Sequence, residues 1–131
     1  MPVAVPPLPS STVSSNVISG NEGNGVLIEG GGNHNLNLNI IGLDANGTAA
    51  KGNGADGVFI GEESSGNELR FNTISANANN GVLIRGDDNA VEASEIGTSS
   101  VGSTTTGTNG NDLGNGKAGV FVGGPGFADG G

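Results

Sequence analysis

The feature that most limits what this chain can fold into is a repeat. NVISGNEGNGVLIEG at residues 16–30 returns as NTISANANNGVLIRG at residues 72–86, an offset of 56 residues. Segments that similar adopt the same local structure twice, and units of this size belong to arrays in which each copy packs on its neighbour. A half-period lies inside the unit. LNLNII (36–41) aligns with LRFNTI (69–74), and GVFIG (57–61) aligns with GVLIR (81–85). VEASEI (91–96) and GVFVG (119–123) make a fourth copy.

Each copy carries two short aliphatic pieces with no helical spacing, so strands are expected and no helix. Period-2 alternation puts Val26 and Ile28, Val58 and Ile60, Val82 and Ile84, and Val120 and Val122 on an inner face. The gap between the pieces alternates: 7 residues from Ile18 to Gly25 and from Ile74 to Gly81, but 16 from Ile41 to Gly57 and 23 from Ile96 to Gly119. A stack of coils tolerates such inserts, because added residues loop out from a corner. Gly occupies 27 positions and Asn 18, and with 3% aromatics and no Trp or Tyr the core must be aliphatic. The Asn-Gly pairs at Asn24, Asn53, Asn80 and Asn115, with many other Gly, are expected to supply the positive φ angles of the turns. The resulting expectation is an all-β, right-handed, single-stranded parallel β-helix of about four coils stacked about 4.8 Å apart. Its coils fall at about 11–32, 33–65, 66–87 and 88–123, after a Pro-rich segment (1–10) and before a Gly-rich tail (124–131) that reads as the start of a truncated coil.

Charge narrows the function classes. The net charge is -9 with four basic residues, Lys51, Arg70, Arg85 and Lys117, so the cationic footprint of a phosphate binder is missing. Neither nucleic acid nor an anionic membrane surface is an expected partner. No stretch approaches the roughly 20 apolar residues of a membrane span, so no membrane insertion is expected. With no Cys there is no disulfide framework and no thiolate metal site. The segment MPVAVPPLPSS lacks the basic and apolar regions of a signal peptide, so any export signal is expected either to lie upstream or never to have existed.

The pattern N-x-I-S-(G/A)-N-x-x-x-G-V-x-I, followed by L-N-x-x-I-G-x-D-x-x-G-T-A-A-x-G-N-x-x-x-G-V-x-I, covers about residues 11–123. It resembles the right-handed parallel β-helix repeats of pectate-lyase-like proteins, especially long bacterial surface and secreted repeat proteins. The resemblance implies an extracellular or cell-surface setting, with polysaccharide or neighbouring coils as partners. It implies a structural or binding module, glycan-binding where it binds; the alternative is a fragment of a polysaccharide lyase or glycoside hydrolase with its site on the long-insert face. Fold does not choose between these. Four coils without capping helices depart from the family, which suggests a piece of a larger protein whose ends are open to self-association.

The long inserts, 42–56 with Asp44, Lys51 and Asp56 and 97–118 with Asp112 and Lys117, leave the same corner two coils apart. At roughly 10 Å separation they would form a cleft wall. Glycoside hydrolysis needs two carboxylates about 5–9.5 Å apart, which makes Asp44, Asp56 and Asp112 the catalytic candidates. By the resemblance, in which a basic residue takes the proton and acidic residues hold calcium, Arg85 joins them; Arg70 is the other arginine. The competing reading is that these are solvated loop and strand-surface residues. Calcium, the one cofactor considered, has hard oxygen ligands available at Asp44, Asp87, Asp88 and Asp112, which serve equally as turn formers. His34 has no second His or Cys and reads as a surface turn residue. Asn16, Asn39, Asn72 and Ser94 share one repeat position and should form a side-chain ladder along the stack. Leu27, Phe59, Leu83 and Phe121 alternate with inward residues and should face outward as an apolar stripe. Such a stripe serves as a partner surface, a platform for sugar rings or a floor under the long inserts.

Overall fold

The computed structural model of the protein describes residues 10–123. The tail expected to open another coil and all but the last residue of the Pro-rich segment lie outside the described residues. Twelve short strands follow in chain order, three to a coil. Coil 1 holds β1 (Thr12–Ser14), β2 (Val17–Ile18) and β3 (Val26–Ile28), and coil 2 holds β4 (Asn35–Asn37), β5 (Ile40–Ile41) and β6 (Val58–Ile60). Coil 3 holds β7 (Glu68–Arg70), β8 (Thr73–Ile74) and β9 (Val82–Ile84), and coil 4 holds β10 (Ala90–Glu92), β11 (Glu95–Ile96) and β12 (Val120–Val122). They form three four-stranded sheets, β1-β4-β7-β10, β2-β5-β8-β11 and β3-β6-β9-β12. Every pairing is parallel, in the register the repeats predict: Leu36 opposite Leu69 opposite Val91, Ile41 opposite Ile74 opposite Ile96, and Val58 opposite Val82 opposite Val120. The chain is a parallel β-solenoid of four coils, with no helix among the described residues.

The inward positions of the middle coils, Leu36, Ile41, Val58, Ile60, Leu69, Ile74, Val82 and Ile84, make one buried aliphatic column. Each such side chain contributes about 1.5–3 kcal/mol when fully buried. Val13, Ile18 and Val26 of coil 1 and Val91 and Ile96 of coil 4 pack on the column but are only partly covered. Val122, expected inside, is 70% exposed, because no described residue stacks beyond coil 4.

The corner between the first two strands of every coil is turned by an L-residue in the left-handed conformation: Ser15 (φ 59°), Leu38 (59°), Phe71 (56°) and Ala93 (47°). Such a residue costs roughly 1–2 kcal/mol. Bonds to the next coil hold it: Ser15 N–H to Asn37 O, Leu38 N–H to Arg70 O and Phe71 N–H to Glu92 O. The expectation is corrected for the four Asn-Gly pairs, since Asn24, Asn53, Asn80, Asn115 and the Gly after each keep negative or extended φ, while other glycines, among them Gly20, Gly42, Gly66 and Gly97, do supply positive φ. The glycines of those pairs and the Gly that opens each third strand answer to crowding instead. A Cβ on Gly25 would lie 2.7 Å from Gly57 O, one on Gly57 2.6 Å from Gly81 O, and one on Gly81 2.5 Å from Gly119 O. At Gly54 and Gly116 the nearest carbonyl would be closer still, at 2.1 and 2.0 Å.

Side-chain ladders run along the stack beside the sheets. The expected one is present: Asn16 Nδ2 donates to Asn39 Oδ1 (3.3 Å), Asn39 Nδ2 to Asn72 Oδ1 (3.1 Å), and Asn72 N–H to Ser94 Oγ (3.2 Å). A second joins Asn21, Asn53, Asn77 and Asn115 at 2.9, 2.8 and 3.1 Å. A third runs from Ser11 through His34 and Asn67 to Asn89. In it the His34 Nδ1 accepts the Ser11 N–H at 2.9 Å, so this imidazole is a rung of the ladder rather than a bystander on a turn. A fourth, Asn24 to Asp56 to Asn80 to Ala118, has the opposite polarity, each backbone N–H donating to the coil before it.

The two long inserts are short hairpins, closed by antiparallel bridges at Leu43–Ala50 and Thr106–Asp112. Each short coil's corner bonds the return arm of the next coil's insert. Gly20 N–H donates to Lys51 O at 3.0 Å, and the equivalent Ala76 N–H donates to Leu113 O at 2.7 Å. Beneath the hairpins Leu43 and Leu113 are fully buried.

Candidate functional site

The outer face of the third sheet carries the expected stripe in register, Leu27 beside Phe59 beside Leu83 beside Phe121. Its exposure is uneven. Leu27 is 53% exposed and Phe59 and Phe121 are half-buried, while Leu83, flanked by the two rings, is 2% exposed. The inserts do not form its cover. They lie against the second sheet, where a Cβ on Gly47 would reach Ile40 Cδ1 at 3.5 Å and one on Gly102 would reach the Glu95 carboxylate at 2.6 Å.

Beside Phe59 is an open pocket of about 290 Å³, lined by Glu29, Gly30, Phe59, Gly61, Glu62, Glu63 and Arg85. The strands set this arrangement. Phe59 is the outward centre of β6, Arg85 follows β9 and Glu29 follows β3, so three neighbouring coils bring their side chains to one place. Glu62 and Glu63 arrive on the turn after β6. The Arg85 guanidinium carbon sits 5.9 Å from the Phe59 ring centroid, a cation–π contact worth about 0.5–1 kcal/mol at such a site. The pocket therefore brings together an aromatic ring, the Arg85 guanidinium and three carboxylates. A hydroxyl both donates and accepts, so such a set can hydrogen-bond hydroxyl groups.

The other expected site residues are placed elsewhere. The inserts do not stand about 10 Å apart around a cleft; they touch across coil 3. Ser100 N–H donates to Gly47 O and Thr108 N–H to Thr48 O, both at 2.9 Å, and Asn109 Nδ2 donates to Ala50 O at 3.1 Å. A hairpin has two arms about 4.8 Å apart, so a pair of them fills the space left open at the sequence level. Asp44 Oδ1 accepts the Thr48 and Ala49 N–H groups at 3.0 and 3.2 Å. Those bonds, the Thr48 one foremost, hold its carboxyl below the ordinary range against a small opposing effect of burial. Asp56 is buried in the fourth ladder, its Oδ1 accepting both Asn80 N–H (2.9 Å) and Asn80 Nδ2 (3.1 Å). Asp112 Oδ1 accepts Gly114 N–H at 2.8 Å. Asp44 and Asp112 thus hold their own turns, and Asp56 holds the neighbouring coil.

Asp87 and Asp88 are exposed on the turn after β9, Asp88 at φ 56°. Among the described residues no three His, Cys, Asp or Glu side chains converge to hold a metal ion, so the four calcium candidates are not brought together. Arg70 lies outward on the first sheet, with its Nε 3.1 Å from Glu92 and 3.9 Å from Glu68. No helix among the described residues is long and apolar enough to cross a membrane.

Sequence reasoning singled out Phe59 and Arg85 separately and did not join them, and it missed Glu29, Glu62 and Glu63. The available signal was that Glu29 and Arg85 are equivalent positions flanking the Phe59 coil. It also missed Leu38 and Phe71, neighbouring corner residues each 59% exposed. Comparison of the chain with protein-family models, with curated proteins and with solved structures finds no match.

Proposed function

We propose that this protein is a rigid binding module that presents the Phe59–Arg85 pocket on its third sheet to a glycan. The observation that carries the reading is the meeting of one ring, one guanidinium and three carboxylates from successive coils at a single open pocket. The resemblance to pectate-lyase-like repeats supports a secreted or cell-surface setting and polysaccharide as the ligand class. The parallel stack supplies what a binding scaffold needs, because side chains on short strands locked in register keep their spacing without ligand.

The test is retention of soluble polysaccharides on the immobilised chain. Retention should fall about tenfold in both Phe59→Ala and Arg85→Ala, with the polymer recovered at unchanged length. Retention unaffected by either substitution removes the pocket from the reading. New reducing ends or an unsaturated product, lost in Asp44→Asn, Asp56→Asn and Asp112→Asn together, would favour the fragment of a polysaccharide lyase or glycoside hydrolase instead.

A further inference from the structure

Six Asn-Gly pairs occur in the chain, at Asn24, Asn46, Asn53, Asn80, Asn109 and Asn115. Asn-Gly is the dipeptide most prone to lose its side-chain amide, because Gly places no Cβ in the way of attack by its own nitrogen. The solenoid treats the six differently. At Asn24, Asn53, Asn80 and Asn115 the Gly N–H is tied to a neighbouring coil: Gly25 to Asp56 O, Gly54 to Asn21 O, Gly81 to Ala118 O and Gly116 to Asn77 O, all within 2.8–3.0 Å. Their Oδ1 atoms accept ladder bonds from Asp56, Asn21, Ala118 and Asn77. Neither the nitrogen nor the carboxamide can turn without opening the stack. At Asn46 the following Gly47 is buried against Ser100, whose Oγ would lie 2.4 Å from a Cβ placed there.

Asn109 is different. Both it and Gly110 are exposed, a Cβ on Gly110 (φ 80°) would have no atom within 4 Å, and the Gly110 N–H is held only within its own turn, by Gly107 O at 2.9 Å, rather than by a neighbouring coil. The Asn109 Oδ1 accepts the Asn111 N–H at 3.2 Å, a bond inside the same exposed turn that polarises the side-chain carbonyl. The Nδ2, which would be the leaving nitrogen, donates to Ala50 O and so ties the second insert to the first.

We infer that Asn109 is a self-modification site at which deamidation removes the side-chain link between the two inserts. The deprotonated Gly110 nitrogen attacks Asn109 Cγ and the new N–Cγ bond closes a succinimide. The Cγ–Nδ2 bond breaks, and Nδ2 leaves as ammonia with the proton returned to it. Water then opens the ring at either carbonyl to give aspartate or isoaspartate, with no oxidation or reduction. The product sets a carboxylate, which has no donor, opposite Ala50 O. The inserts keep the Ser100 and Thr108 backbone bonds but lose the side-chain link.

The test is incubation of the folded chain in mildly alkaline buffer, with peptide mapping by mass spectrometry at all six pairs and a parallel incubation in denaturant. Folded, Asn109 should convert at least about tenfold faster than the ladder asparagines, whose reaction waits on local opening. In denaturant the six rates should draw together. Gly110→Ala should slow Asn109 about tenfold in the folded chain. Amide exchange at Ser100 and Thr108 should rise in Asn109→Asp but not in Gly110→Ala. The inference is overturned if Asn109 keeps its amide while any ladder asparagine converts, if its lead persists unchanged in denaturant, or if Asn109→Asp leaves Ser100 and Thr108 exchange unaltered.

Discussion

Ala76 stands at φ 59°, where the equivalent residue of coil 1 is Gly20 at φ 70°. The corner needs that conformation to aim its N–H at the next insert, and an L-residue pays for it in steric strain. Replacing Ala76 with Gly should raise the unfolding free energy by about 1 kcal/mol, measured by urea denaturation; a fall would mean that the lost side chain and the added unfolded-state freedom outweigh the relief. Ser99 is a second local conflict. It is 1% exposed and its Oγ has no hydrogen-bond partner, although its N–H and carbonyl are both engaged in the turn. Ser99→Ala removes an unsatisfied hydroxyl and keeps the Cβ, so a gain of about 1 kcal/mol is expected, whereas a loss would reveal a bound water at that hydroxyl. Asp44 sets a pH dependence. Its folded value lies below the ordinary 3.8, so its contribution is present above that value and is lost as pH falls through the lowered one. Thr48 and Ala49 amide shifts followed by NMR should titrate below pH 3.8 in the native chain and stay flat in Asp44→Asn; a midpoint at or above 3.8 would contradict the bonding described.

The strands and their inner face were legible because alternation in VLI, VFI and VFV has only one reading once the copies are aligned. The ladders were only partly so. Asn53 and Asn80 begin the same Asn-Gly dipeptide yet belong to different ladders, and composition cannot separate them. Counting back from the Gly-Val that opens each third strand does: Asn21, Asn53, Asn77 and Asn115 precede that Gly by four residues, and Asn24, Asp56, Asn80 and Ala118 by one. The contact between inserts was not legible, since a loop's path is set by bonds to a partner 59 residues away, as between Asn109 and Ala50. The ladders differ from the candidate site in what they predict. Asn77→Ala strands the buried N–H and Nδ2 of Asn53, which both donate to it, and should cost about 3 kcal/mol. Asp56→Asn keeps an oxygen where Asn80 donates and should change stability by less than about 0.5 kcal/mol. Paired denaturation curves check both, and similar losses in the two variants would deny the ladders their directional role.

At the scale of the whole molecule the period is two coils, and the inserts explain why. An outward hairpin places two arms along the axis, each about 4.8 Å wide, so it occupies two coil spacings. A long corner therefore needs a short one beside it. Gly20 and Ala76 are the short corners against which the hairpins of coils 2 and 4 close. Stability in such a stack is a sum of coil terms and neighbour contacts, so added coils help only if every neighbour contact is preserved. Duplicating residues 16–71, a full 56-residue unit, adds one short and one long corner and keeps the alternation. Its denaturation midpoint should rise above that of the native chain. Duplicating residues 33–65 alone sets two hairpins on adjacent coils with half the room they need, forcing one off the second sheet and exposing a Leu43 that is now fully buried. That chain should unfold at a lower midpoint than the longer-unit duplicate despite its extra strands. Equal midpoints would show that the inserts are loops indifferent to their neighbours, and that the alternation of short and long corners has another cause.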